Sequence, residues 1–196
     1  MNKIKLILTL LVFVLLIFAA NKIDRNYFSI LKESFTSIYE DRLVVKDYLF
    51  KISRQLEEKK DYLPLDQYAQ SKSINDSIDV LLDKFAATKL TSRESQSLNG
   101  LQDNIENLYL LEREFYTAEA SPTREKKLEQ INQRYEKIWN NMLVLSEIQL
   151  TEGKRLMSSS NQVFKSTNLL SYLEIGFLIL IAIAFYFILV YKPSAK

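Results

Sequence analysis

Apolar residues of this chain fall into three patterns. Near the N-terminus "LILTLLVFVLLIFAA", Leu6 to Ala20, is apolar except for Thr9. Near the C-terminus "IGFLILIAIAFYFILVY", Ile175 to Tyr191, carries no charge. Between them apolar side chains recur in steps of three and four, the period of one face of a helix. Phe28, Leu31, Phe35, Ile38, Arg42, Val45, Leu49, Ile52, Leu56, Lys59 and Leu63 form one such seam, apolar except at Arg42 and Lys59. A second seam runs through Ile74, Ile78, Leu81 and Phe85, and a third through Leu98, Leu101, Ile105, Leu108 and Phe115. A fourth starts at Leu128 and passes Ile131, Tyr135, Ile138, Met142, Leu145, Gln149, Glu152 and Leu156 toward Leu173.

The breaks between seams carry helix-end chemistry. Pro64 separates the first two, "TSRE" at Thr91–Glu94 has the form of a capping box, and Ser121–Pro122 supplies an N-cap and a first-turn proline. Together these predict an all-α fold: an antiparallel up-down-up-down four-helix bundle over 22–171, with helices at about 22–63, 65–90, 92–119 and 122–171. The outer helices continue into the apolar runs.

Those runs read as membrane spans at 6–21 and 172–191, the second close to the ~20 residues that cross a bilayer. A basic start before a short apolar stretch also fits a signal peptide, but bulky Phe18 stands where a cleavage site after Ala20 needs a small residue. An uncleaved anchor is therefore expected. Lys3 and Lys5 before the first span, and Lys192 and Lys196 after the second, place the ends 1–5 and 192–196 in the cytoplasm. The bundle then lies outside a bacterial cytoplasmic membrane, in the periplasm or beyond.

Composition narrows the chemistry. The chain has no histidine and no cysteine, which removes the usual zinc sites, disulfides and His-dependent nucleophiles. No metal, cofactor or enzymatic activity is expected. Of 26 basic and 24 acidic residues, setting aside the four terminal lysines and Glu174 leaves 22 and 23, so the external segment is near −1. Nucleic acid is not an expected partner.

Helix lengths imply a partner copy. At about 1.5 Å per residue, the external parts of the first and last helices reach roughly 63 and 75 Å, against about 40 Å for the middle two. The membrane-proximal seams thus exceed what two helices bury, which predicts a homodimer along the first and last helices in preference to an isolated two-helix stalk.

Arg42 is the chemical exception on its seam. A desolvated guanidinium needs an anion. Depth matching from the two membrane ends brings Glu152 to the height of Arg42 and Gln149 one turn further out. Three readings follow: an Arg42–Glu152 bridge that fixes register, a small anionic or amino-acid-like ligand held by Arg42, Gln149 and Glu152, or an Arg42 head reaching water. The many aromatic rings read as packing, and the "NDS" at Asn75 is a sequon in mid-helix.

The order span, bundle, span, together with "SIYEDRLVVKDYLFKI" at Ser37–Ile52, resembles the four-helix-bundle sensor domain of methyl-accepting chemotaxis receptors. Tyr39, Asp41, Arg42 and Leu43 carry the resemblance. It implies a periplasmic dimer that binds small solutes, sometimes through arginines of the first helix, and passes a shift of the last helix across the membrane. The HAMP linker and methylated coiled coil of full receptors are not found in the residues after Tyr191. The expectation is a non-enzymatic sensor acting through a partner membrane protein; the alternative is a structural or assembly protein using the bundle as a spacer or docking surface.

Overall fold

The computed structural model describes residues 3–65, 67–118 and 121–190. The expected cytoplasmic tail, 192–196, and the first two residues of the N-terminal segment lie outside them. Among the described residues the chain is all-helical: α1 (Lys3–Ser37), a π-helical turn (Ile38–Leu43), α2 (Val44–Tyr62), α3 (Tyr68–Ala86), α4 (Ser92–Thr117) and α5 (Ser121–Val190). These divide into two compact units, one of residues 36–156 and the other of 1–35 with 157–196.

The unit of residues 36–156 contains the core. Val45, Leu49, Ile52 and Leu56 of α2, Ile78, Leu82 and Phe85 of α3, Leu98, Leu101, Ile105 and Leu108 of α4, and Ile131, Tyr135, Ile138 and Leu145 of α5 form one cluster. From Arg42 to Leu63 every predicted position of the first seam is buried, and so is every one of the third. Burial of each large apolar side chain contributes about 1.5–3 kcal/mol, so four amphipathic stripes meeting in one cluster hold this unit together.

Helix ends follow local chemistry. Thr91 caps α4 through a full capping box: its Oγ1 accepts from the Glu94 N–H at 3.2 Å, and its own N–H donates to Glu94 Oε2 at 2.9 Å. Pro64 lies in the turn after α2, and α3 starts at Tyr68, three residues later than the seam predicts, because Leu63–Leu65 form that turn and Gln67 is non-helical.

The first predicted helix is not one continuous α-helix. At Ile38–Leu43 the Val44 N–H donates to the Tyr39 carbonyl, five residues back. Such a turn holds one residue more than an α-helical turn, and the seam is buried at every predicted position from Arg42 onward. Of the seam positions before the turn, Leu31 is buried, while Phe28 and Phe35 are 71% and 47% exposed.

In the unit of 1–35 and 157–196, the first apolar run lies within α1 and the second is helical as far as Val190, the last described residue. One described helix, α5, is long and apolar enough to cross a membrane.

Candidate functional site: two buried charge layers

The π-helical turn carries Arg42 into the interior, where the residue is only 8% exposed. Its Nη1 donates to Glu94 Oε1 at 2.6 Å and to Gln149 Oε1 at 3.0 Å, and its Nη2 donates to the Lys89 carbonyl at 3.2 Å. The Gln149 amide nitrogen donates to the same Glu94 Oε1. Glu94 is fully buried, and both its oxygens are used: Oε2 caps α4 and Oε1 answers Arg42. This geometry gives a desolvated guanidinium the carboxylate it requires.

Neighbouring Asp41 grips the same loop. Its Oδ1 accepts from the Lys89 N–H at 3.0 Å while its Oδ2 accepts from the Ser37 hydroxyl at 2.6 Å. Asp41 and Arg42 thus hold both polar groups of the Lys89 backbone, and fasten the α3–α4 loop to the π turn. Tyr39 and Leu43, which flank them, are exposed.

The expected bridge from Arg42 to Glu152 is not formed. Glu152 is half-buried and accepts instead from Arg155 Nε at 2.7 Å, one turn along its own helix. The anion comes from α4 because the capping box already turns the Glu94 carboxylate back over the helix N-terminus, next to the π turn. Gln149 does meet Arg42; Glu152 does not join them.

A second buried ion pair, outside the residues expected from sequence, lies further along the same seam. Lys59 Nζ donates to Glu112 Oε2 at 2.6 Å and to Asn75 Oδ1 at 2.6 Å, with Lys59 and Glu112 both almost fully buried. The Tyr135 hydroxyl donates to Glu112 Oε1 at 3.3 Å. Tyr109 lies with its ring 4.4 Å from the Lys59 ammonium and its hydroxyl donating to Asp79 at 3.2 Å. Asn75, the sequon residue, is thereby engaged by Lys59.

Burial sets the electrostatics of this layer. Desolvation pulls the Lys59 ammonium below its ordinary value and pushes the Glu112 carboxyl above its own, while each partner's charge opposes the other's shift. The same desolvation, with Asp79 and Glu112 nearby, raises the Tyr109 and Tyr135 hydroxyls. Both tyrosines therefore remain protonated donors at neutral pH.

A sequence signal for the second layer exists. On the first seam Arg42 and Lys59 are five steps apart, through Val45, Leu49, Ile52 and Leu56. Extending the third seam outward gives Glu94 and Glu112, also five steps apart, through Leu98, Leu101, Ile105 and Leu108. Two cations on one stripe and two carboxylates at matching separation on another specify two ion pairs in register. In each layer α5 contributes a neutral partner, Gln149 or Tyr135.

Comparison of the chain with protein-family models, curated proteins and solved structures finds no match.

Proposed function

We propose that the chain is a non-enzymatic, membrane-anchored sensor that passes ligand occupancy to a partner membrane protein. In this reading 22–171 form an up-down-up-down four-helix bundle outside the bacterial cytoplasmic membrane, tethered by spans at both ends, with both termini cytoplasmic. The observation that carries it is the continuity of α5. This one helix contributes Ile131, Tyr135 and Ile138 to the core, bonds to the Arg42–Glu94 pair through Gln149, and continues without a break into the apolar run.

The charge layers favour movement of that helix over movement of the others. Both buried ion pairs join α4 to the stretch from the π turn through α2, and within these two layers α5 supplies only an amide and a phenol, its charged contacts with α4, Lys127 to Glu114 and Arg134 to Asn104, lying outside them. Releasing a neutral group from a charged one costs about 1.5–3 kcal/mol. Separating a buried ion pair costs about 3–5 kcal/mol. A shift of α5 therefore leaves both pairs intact. A homodimer is supported by exposed apolar side chains at seven-residue spacing on the two outer helices, Leu43 and Phe50 before Leu143 and Leu150.

A small anionic or amino-acid-like solute would act at Arg42 by competing with Glu94. The second reading, a membrane-anchored spacer or docking module, is favoured by the same contact, since Glu94 already answers the Arg42 charge from within. Thermal unfolding of the full chain in detergent micelles, with amino acids, organic acids and amines added singly, tests the sensor. The sensor reading expects at least one compound to raise the unfolding midpoint, with the response to a carboxylate strengthened in Glu94→Gln. A panel that moves nothing in either protein refutes it and leaves the spacer.

A further inference from the structure

Within the unit of 1–35 and 157–196, a groove of about 490 Å³ lies between the two apolar helical segments. Phe13, Ile17, Phe177 and Ile181 line its apolar part, and Asp24 and Glu174 line it where those segments give way to polar sequence. Each acid has one buried oxygen, Asp24 Oδ1 and Glu174 Oε1, that accepts no hydrogen bond. Lys22 and Arg25, beside Asp24 in the chain, are exposed and do not line the groove.

Each acid is half-buried with one oxygen shut off from water and left without a donor, and two such oxygens beside one groove favour a cation there. We infer that this groove docks a transmembrane helix of a partner protein that carries a Lys or Arg at the level of Asp24 and Glu174. This rests on the proposed membrane anchoring and names the partner's chemistry. The apolar lining suits the apolar side chains of such a helix, and the acids fix its register through a single basic residue. A zwitterionic amine lipid suits the groove less well, because its phosphate would approach the same two carboxylates. A symmetric second copy would bring two more acids of the same sign to that level.

The test uses the full chain, reconstituted in phosphatidylcholine vesicles, with a dye-labelled Leu-rich transmembrane peptide bearing one Lys near its outer end. Energy transfer should report binding about tenfold or more tighter than for the same peptide with Leu in place of Lys. In Asp24→Asn/Glu174→Gln that preference should fall to about twofold or less. Equal binding of the two peptides, or a preference unchanged in the double variant, overturns the inference. So does displacement of the Lys peptide by added phosphatidylethanolamine, which would assign the groove to a lipid amine. Alkaline extraction of the vesicles separates the two levels: a chain that is washed off refutes the membrane anchoring as well, whereas an inserted chain without Lys preference refutes only the docking.

Discussion

Replacing Lys59 with Met removes the cation that faces Glu112 across the core and leaves a carboxylate that is almost wholly buried. Breaking a buried pair from one side costs about 3–5 kcal/mol. At about 2–4 °C per kcal/mol for a chain of this size, the unfolding midpoint should fall by roughly 6–20 °C near neutral pH. The loss should depend on pH with a definite sign. Burial already raises the Glu112 carboxyl, and Lys59 is what opposes that shift. Without Lys59 the folded-state value rises further above the unfolded one, so the native state is favoured below the unfolded value and penalised as pH rises through the folded value. The deficit of Lys59→Met relative to wild type should therefore shrink as pH falls toward the ordinary carboxyl range and grow as pH rises above it. Adding Glu112→Leu removes the stranded charge, and should return stability to within about 1 kcal/mol of wild type or exceed it. Thermal melts followed by far-ultraviolet circular dichroism, at several pH values, measure all three proteins. A single variant that loses less than about 1 kcal/mol, or a deficit that does not shrink on acidification, would refute the description of this layer as a desolvated ion pair.

Arg42→Ala should cost about 3–5 kcal/mol by the same argument, because Glu94 is fully buried. Arg42→Lys should restore less than half of that, since one ammonium cannot reproduce the fork that reaches Glu94, Gln149 and the Lys89 carbonyl together; urea titration of the three proteins checks the order. Gly153 lies inside α5 with open space where a Cβ would stand. Gly153→Ala should raise stability by about 0.5–1 kcal/mol, and an unchanged or lowered midpoint would contradict an unbroken α5.

The legible parts of this molecule are those where one physical rule acts alone. Leu98, Leu101, Ile105 and Leu108 are buried as their spacing requires, and Thr91 with Glu94 forms the cap that four letters spell out. What escaped was a residue doing two things. Glu94 satisfies the capping rule completely, so nothing local marks its second oxygen as the partner of Arg42. Depth matching chose Glu152 because it counts residues along ideal α-helices, and neither the π turn nor the reach of a capping side chain enters that count. Lys59 was visible as a charge on an apolar stripe, and Glu112 became its evident partner only once the third seam was extended beyond its apolar members. The π turn has no local sequence mark: residues 38–43 continue the three-four rhythm, and the bond from the Val44 N–H to the Tyr39 carbonyl, five residues back, is what reveals the extra residue.

Thiol accessibility tests most directly the proposal that the bundle is held outside a membrane by helices entering it from both ends. The chain has no cysteine, so a single introduced thiol reports its own location. Asp103→Cys places one on the exposed face of α4, and Ser194→Cys places one in the expected cytoplasmic tail. In intact cells a membrane-impermeant maleimide should label the first variant and should label the second only after permeabilisation. Labelling of the tail in intact cells, or protection of position 103, would contradict it.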